Sequence, residues 1–388
     1  MDLTIRPFFL RGDLTVPPSK SYAHRSLICA ALADKPTQLV CRETNADIEA
    51  TAECLRALGA EVIRTESGYT VFPVKRVPET AVLPCGESGS TLRFLLPVVG
   101  ALGVDATFVL EGRLPERPLS PLWEEMERMG CSLSCPAEKT VRCRGKLRQG
   151  EYTMDGGVSS QFITGLLFAH AILGGCTLTV TGKMESKPYV DMTEEVLRRF
   201  AAPAFHSPGY VAVEGDWSSA AFWLTANELG SYVNLHGLNG DSVQGDRAVV
   251  EILHQLEKGT PTVSAADIPD LVPILAVCAA AKRGAVFTDI RRLRLKESDR
   301  VASVIAMLEN LGGRAEADEN TLTVCGTGLR GGIVDAMNDH RIAMAAAVAA
   351  TVCKENVTVL QAECVRKSYP AFWEEYARLG GKYELYLR

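Results

Sequence analysis

The groups that bind and move charge fall at repeating places along this chain. Residues 17–26 read P-P-S-K-S-Y-A-H-R-S. The prolines end an extended entry segment, and the hydroxyls after them suit a helix N-cap. The apolar S-L-I-C-A-A-L-A that follows predicts a buried helix. A helix start offers unpaired N–H groups and a partial positive charge, so it attracts anions, and Lys20 and Arg25 add two full charges there. Similar polar openings precede other apolar runs: G-E-S-G-S-T-L-R at 86–93, S-S-Q at 159–161, D-I-P-D at 267–270 and N-D-H-R at 338–341. Further groups lie outside these runs. Arg117 sits in P-E-R-P-L, and Ser186, Lys187 and Tyr189 in E-S-K-P-Y. R-L-R-L-K-E-S-D-R at 292–300 places Lys296 and Arg300 at i,i+4, expected on one helix face. Lys367 comes just before another helix.

Taken singly, each has a plain structural account. Residues 17–26 are a capped core helix, Arg117 a surface turn residue, and Lys296, Glu297 and Arg300 a salt-bridged helix face. Ser159, Ser160 and Asp270 are N-caps, Lys367 is a solvated lysine, and His24 and His340 are structural histidines. The recurrence of basic residues at equivalent points of several repeats has no such account.

Those repeats are the elements that must position the groups. One plan occurs six times: an apolar small-residue helix, a β-rich run, an amphipathic helix ending near glycine, then alternating strands. The apolar helices are expected at 25–33, 91–102, 161–173, 220–229, 271–281 and 341–352. L-R-A-L-G-A-E-V, M-E-R-M-G-C-S-L, L-E-N-L-G-G-R-A and Y-A-R-L-G-G-K-Y share a glycine after the last helical apolar residue, a C-cap signature. Copies three and four lack the strand pair expected next. Helices that are apolar all round belong inside. The fold class expected is therefore α/β: two similar domains, each of three repeat units packed around buried helices. Residues 15–214 form the first domain. Residues 1–14 with 215–388 form the second, completed by the N-terminal strand L-T-I-R-P. If the inner helices run parallel, their N-termini converge, and two such ends facing each other would make an anion-binding cleft.

The totals agree with this plan. At 388 residues and 47% hydrophobic content, two domains are the default. A net charge of −6 argues against a nucleic-acid or membrane-surface partner, so any basic site is local. The twelve cysteines include no C-x-x-C pair and sit mostly in apolar runs, as in a reducing compartment. P-F-F-L before Arg11 is too short for a signal peptide, and a cytoplasmic location is expected. G-T-G-L-R-G at 326–331 fits a dinucleotide fingerprint but is followed by G-I-V-D-A, not a helix, and reads as a turn. No phosphate-binding G-x-x-x-x-G-K-[ST] and no zinc spacing occur, so neither cofactor nor metal is expected.

Read in order, K-S-x-x-x-R, G-E-S-G-S-T-x-R, E-R-P, D-G-x-V-S-S-Q-F, E-S-K-P-Y, I-P-D, L-K-E-S-D-R, N-D-H-R and K-S-Y-P resemble the 5-enolpyruvylshikimate-3-phosphate synthases over essentially the whole chain. The resemblance implies an inside-out α/β barrel in each domain, three βαβαββ-type units packed around buried parallel helices, and an active site in the interdomain cleft. It implies transfer of the enolpyruvyl group of phosphoenolpyruvate to the 5-hydroxyl of shikimate-3-phosphate, in aromatic amino-acid biosynthesis. By position, Lys20, Ser21, Arg25, Ser159, Ser160, Gln161, Ser186, Tyr189, Asp270 and Lys296 would bind shikimate-3-phosphate. Lys20, Gly89, Arg117, Gln161, Arg300, Arg341 and Lys367 would bind phosphoenolpyruvate. Asp270 would take the hydroxyl proton, and Glu297 or Lys20 would serve as the acid. Arg292 stands where many relatives have asparagine, and Arg93 matches a family arginine. The implied partners are these small molecules alone, with a monomer expected. Domain closure on shikimate-3-phosphate is expected too, as is competition by glyphosate with phosphoenolpyruvate, since Gly89 leaves room for it.

The residue types suit that chemistry. Two carboxylates and two phosphate monoesters bring a charge of roughly −5 to −6. Lys20, Arg25, Arg117, Lys296, Arg300, Arg341 and Lys367 answer with seven positive charges. A sister enzyme that acts on UDP-N-acetylglucosamine is one alternative, but it carries a reactive cysteine where this chain has P-E-R-P. A non-catalytic anion-binding repeat protein is another.

Overall fold

Twelve α-helices among the described residues, 1–386 of a computed structural model, alternate along the chain between two kinds. The odd-numbered ones are α1 (Lys20–Ala31), α3 (Gly89–Leu102), α5 (Ser160–Leu173), α7 (Trp217–Glu228), α9 (Val272–Ala281) and α11 (His340–Ala350). They are apolar nearly all round: α11 buries every residue, and α9 every residue but the last. With no wet stripe, such a helix must lie inside. The even-numbered ones are α2 (Ala46–Ala57), α4 (Leu122–Arg128), α6 (Lys187–Arg199), α8 (Val249–Lys258), α10 (Arg300–Asn310) and α12 (Phe372–Arg378). These have one buried stripe, as in α8, where Val249, Ile252, Leu253 and Leu256 recur at helical spacing. Gly59 and Gly312 follow α2 and α10 with φ of 97° and 80°, the left-handed turn that stops each helix where the repeated glycines predict.

The chain divides into two compact units, each with its own hydrophobic core: Pro18–Glu214, and Met1–Pro17 with Gly215–Arg388. The first crossing lies at Pro17/Pro18, three residues beyond the expected 14/15. The strand Arg11–Thr15 pairs in parallel with Tyr232–His236, and the Val16 amide extends the ladder to the His236 carbonyl at 2.9 Å.

In Pro18–Glu214, one sheet orders Tyr210–Ala212, Thr37–Val40, Gly68–Phe72 and Glu61–Thr65. A second orders Thr80–Gly86, Asp105–Leu110, Thr140–Gly145 and Cys131–Ser134. The third copy has two strands only, Glu151–Asp155 parallel to Thr177–Thr181. In the other unit, one sheet orders Thr262–Ser264, Gly284–Thr288, Thr321–Cys325 and Arg314–Ala317. Another orders Gly332–Asp335, Val357–Leu360, Asp2–Arg6 and Lys382–Tyr386, with Asp2–Arg6 antiparallel to both neighbours. The fourth copy again has two strands, Arg11–Thr15 and Tyr232–His236. The missing strand pairs of copies three and four thus leave two-stranded sheets. Residues 326–331 connect two strands and precede no helix.

One close approach sets the position of several polar side chains. Pro97, inside α3, has no N–H to return to the Arg93 carbonyl. Gly165 of α5 lies against that carbonyl, where a Cβ would come within 2.3 Å of the oxygen. Glycine is therefore required there. The contact brings the first turns of α3 and α5 side by side. No helix among the described residues is long and apolar enough to cross a membrane.

Candidate active site

In the unit Pro18–Glu214 the polar residues gather at the starts of α1, α3 and α5 and of the outer helix α6. Lys20 is the first residue of α1, and its Nζ lies 2.9 Å from Asp47 Oδ2 in the first turn of α2. Arg25 is 2% exposed and ties three helices together. Its Nε donates to Thr193 Oγ1 at 2.9 Å, its Nη1 to the Ser21 carbonyl at 2.7 Å and its Nη2 to the Tyr189 carbonyl at 2.8 Å. A weaker contact reaches Thr164 Oγ1 at 3.4 Å, and the guanidinium lies 4.9 Å from the Phe94 ring centroid. Every one of these partners is neutral. Burial pulls the Arg25 pKa down to about 10, and it remains a cation near neutral pH. A buried cation with no counter-ion is costly, and an anion brought to it relieves that cost.

Ser159 caps α5, accepting from the Gln161 amide at 3.3 Å, and Ser160 is buried in the first turn. The Gln161 carboxamide is held at both ends: Oε1 accepts from Arg93 Nη1 at 2.8 Å, and Nε2 donates to Ser90 Oγ at 3.0 Å. Ser186, buried at φ 56°, precedes α6, and Tyr189 lies in that helix's first turn. The guanidiniums of Arg117 and Arg93 lie over Gly89, where a Cβ would meet Arg117 Nη1 at 2.8 Å and Arg93 Nη1 at 3.1 Å. His24 keeps its structural reading. Its Nδ1 lies 2.7 Å from Thr51 Oγ1, and burial, then Lys20 and Arg25, hold its pKa well below the ordinary value.

The other unit gathers its charges at the starts of α9, α10 and α11. Asp270 precedes α9. Its Oδ1 lies 2.8 Å from Arg300 Nη1 and its Oδ2 2.8 Å from Arg341 Nη2, with Lys296 Nζ 3.7 Å from Oδ1. Arg300, fully buried, also reaches Glu297 Oε2 at 2.6 Å and Asp339 Oδ2 at 3.0 Å. Burial opposes its charge, but Asp339, Glu297 and Asp270 outweigh burial and hold it protonated above its usual range. Asp339 caps α11 by accepting from the Arg341 amide at 3.0 Å. Burial pushes Lys296 down to about 8 against the pull of Asp270, with Arg300 and Arg292 adding to the effect. Lys367 Nζ donates to the Asn338 carbonyl at 3.0 Å, just before α11.

One expectation fails. Lys296 and Arg300 do not share a helix face. A 3₁₀ helix, Arg291–Leu295, ends before Lys296, and α10 begins at Arg300. Between them Ser298 turns inward to Asp339 at 3.1 Å, and Asp299 caps α10 through the Ala302 amide. Sequence reasoning also missed Asp47 and Asp339. No spacing links residue 47 to residue 20, whereas Asp339 stands inside N-D-H-R, where the sequence assigns it no role of its own.

By fold, the chain is a two-unit α/β repeat protein similar to two solved structures. EPSP synthase from Acinetobacter baumannii matches with a TM-score of 0.79 and 24% identity, over 99% of this chain and 100% of that one. The enolpyruvyl transferase NikO from Streptomyces tendae matches at 0.78 and 20%, over 99% and 98%. The family model for EPSP synthase (3-phosphoshikimate 1-carboxyvinyltransferase) covers residues 7–376, and the chain belongs to that family. The 3-phosphoshikimate 1-carboxyvinyltransferase of Clostridium kluyveri is 37% identical over 418 residues, 98% of this chain and 97% of the relative. That of Clostridium acetobutylicum is 37% identical over 414 residues, 97% of each.

Proposed function

We propose that the chain adds the 5-hydroxyl of shikimate-3-phosphate to phosphoenolpyruvate and then eliminates phosphate, leaving the enolpyruvyl ether, a step of aromatic amino-acid biosynthesis. The observation that carries this reading is the grouping of Asp270 with Arg300, Arg341 and Lys296 at the mouths of buried helices. A carboxylate so held is a weak base. Phosphoenolpyruvate, binding through its own carboxylate and phosphate, would compete for Arg300 and Arg341 and release Asp270 to take the hydroxyl proton. Forked guanidiniums suit both oxyanions. The named relatives supply the substrate class.

Lys20, Ser21, Arg25, Ser159, Ser160, Gln161, Ser186, Tyr189 and Lys296 are assigned to shikimate-3-phosphate. Lys20, Gly89, Arg117, Gln161, Arg300, Arg341 and Lys367 are assigned to phosphoenolpyruvate. Addition needs a proton on the methylene carbon as the hydroxyl loses one to Asp270; elimination takes the carbon's proton back and passes the hydroxyl's proton to the departing phosphate. Glu297 or Lys20 is the acid assigned to that carbon. The test is phosphate release from phosphoenolpyruvate, offered with shikimate-3-phosphate or with UDP-N-acetylglucosamine. Release with the first alone is expected. Release with the second alone identifies the sister activity, and release with neither leaves an anion-binding protein.

A further inference from the structure

Gly245–Ala248 forms a single 3₁₀ turn ahead of α8 and carries Asp246. Gln244 fastens this turn to the start of α7: its Oε1 accepts from the Trp217 amide at 3.1 Å, and its Nε2 donates to the Gly215 carbonyl at 2.9 Å. Asp246 is 3% exposed. Its Oδ2 accepts from the Ser218 hydroxyl, and its buried Oδ1 has no hydrogen-bond partner among the described residues. The charged groups that face it come from all three inner helices of its unit. Asp216 caps α7, Asp270 precedes α9, and Arg341 opens α11. A buried carboxyl with an unsatisfied oxygen is unfavourable, and an apolar side chain would fill the same space without that cost.

We propose that Asp246 is a positioning residue for the reaction, its carboxyl setting the strength of Asp270 as a base. The proposal rests on the reading of Asp270 given above. Arg300, Arg341 and Lys296 all weaken that base, and the other nearby carboxyls, Glu297 and Asp339, are tied to Arg300. Asp246 makes no ion-pair contact among the described residues, so its charge is left to act on Asp270 and Arg341. When ionised it raises the proton affinity of Asp270 and draws on Arg341, and when protonated it does neither. Burial, then Asp270, push its carboxyl up to about 7, with Arg341 and Ser218 opposing. The two forms therefore exchange near neutral pH.

The experiment compares the full chain with Asp246→Asn, which keeps the shape and can still accept from Ser218. Turnover is followed from about pH 5.5 to about pH 9 with both substrates saturating. Wild-type kcat should rise severalfold through neutrality. The variant should lack that rise and level off about tenfold lower, with both KM values within about twofold of wild type. An unmoved profile, or KM values that climb as kcat falls, overturns the proposal. If the variant does not fold, Ser218→Ala replaces it. Removing the donated hydroxyl should shift the rise to higher pH, and a rise left in place overturns the proposal equally. A wild type that releases no phosphate with shikimate-3-phosphate sinks the functional reading and this inference together. An active wild type with an unmoved profile sinks this inference alone.

Discussion

Arg341 holds Asp270 at two points, its Nη2 2.8 Å from Oδ2 and its Nη1 3.4 Å from the main-chain carbonyl. The same guanidinium thus fixes both the side chain and the backbone that leads into α9. Asp270→Asn keeps an acceptor for Arg300 or Arg341 but cannot take a proton. Turnover should fall by about 10²–10⁴-fold while KM changes severalfold at most. Steady-state phosphate release measures both, and near-normal kcat would remove Asp270 from the base role.

Arg25 meets no carboxylate among the described residues; its hydrogen-bond partners are hydroxyls and carbonyls. If Arg25 is replaced by Met, Thr164 and Thr193 remain bonded to each other at 2.9 Å, and Thr193 to the Tyr189 carbonyl at 2.9 Å. The polar network survives and the unpaired buried cation is gone, so the melting temperature of Arg25→Met without ligand should equal or exceed that of wild type. Its KM for shikimate-3-phosphate should rise by about tenfold or more. A destabilised variant that binds normally would show a structural cation instead.

Gly89 is held open by what lies above it. Its backbone suits any residue, but a methyl would stand 2.8 Å from Arg117 Nη1 and 3.1 Å from Arg93 Nη1. The guanidiniums must move for alanine to fit. Gly89→Ala should raise the KM for phosphoenolpyruvate by about tenfold and leave that for shikimate-3-phosphate within about twofold. Equal KM values in the two proteins would place phosphoenolpyruvate elsewhere.

Lys296 gives a pH signature. Its folded-state pKa of about 8 lies below its ordinary 10.5, so between these values the unfolded chain binds more protons and this group makes stability rise with pH. Activity should move the other way. kcat/KM for shikimate-3-phosphate reports the free enzyme, and it should fall as pH passes about 8 and Lys296 loses its charge. Lys296→Arg should carry that fall to higher pH, and a limb that does not move would assign it to another group.

The six repeats could be read from the sequence because their signals are local: an apolar helix, a glycine stop and a short strand are each written within a dozen residues. The charged groups could be found for the same reason, as they stand at helix starts. Their partners from distant parts of the chain could not. Asp47 holds Lys20 across 27 residues, and Asp339 holds Arg300 across 39. Such pairs depend on which helix mouths meet, which no spacing reports. The stretch 296–299 misled because K-E-S-D has fair helical character, whereas Ser298 and Asp299 are engaged in a buried contact and a cap.

The strand Arg11–Thr15 leads into α1 yet pairs beside the strand that follows α7, and Tyr210–Ala212 leads into α7 yet pairs beside the strand that follows α1. This exchange has a consequence for synthesis on the ribosome. Pro18–Glu214 can close its sheets as soon as residue 212 emerges. Residues 1–17, made before that unit, wait far longer. Leu3 meets Val359 and Leu385 only once those residues too have been made, so the strand Asp2–Arg6 stays unpaired long after Pro18–Glu214 can fold. A permuted chain begun at residue 215 and run through residue 388, joined to residue 1, as far as residue 214 would hold each unit in one continuous stretch and remove that wait.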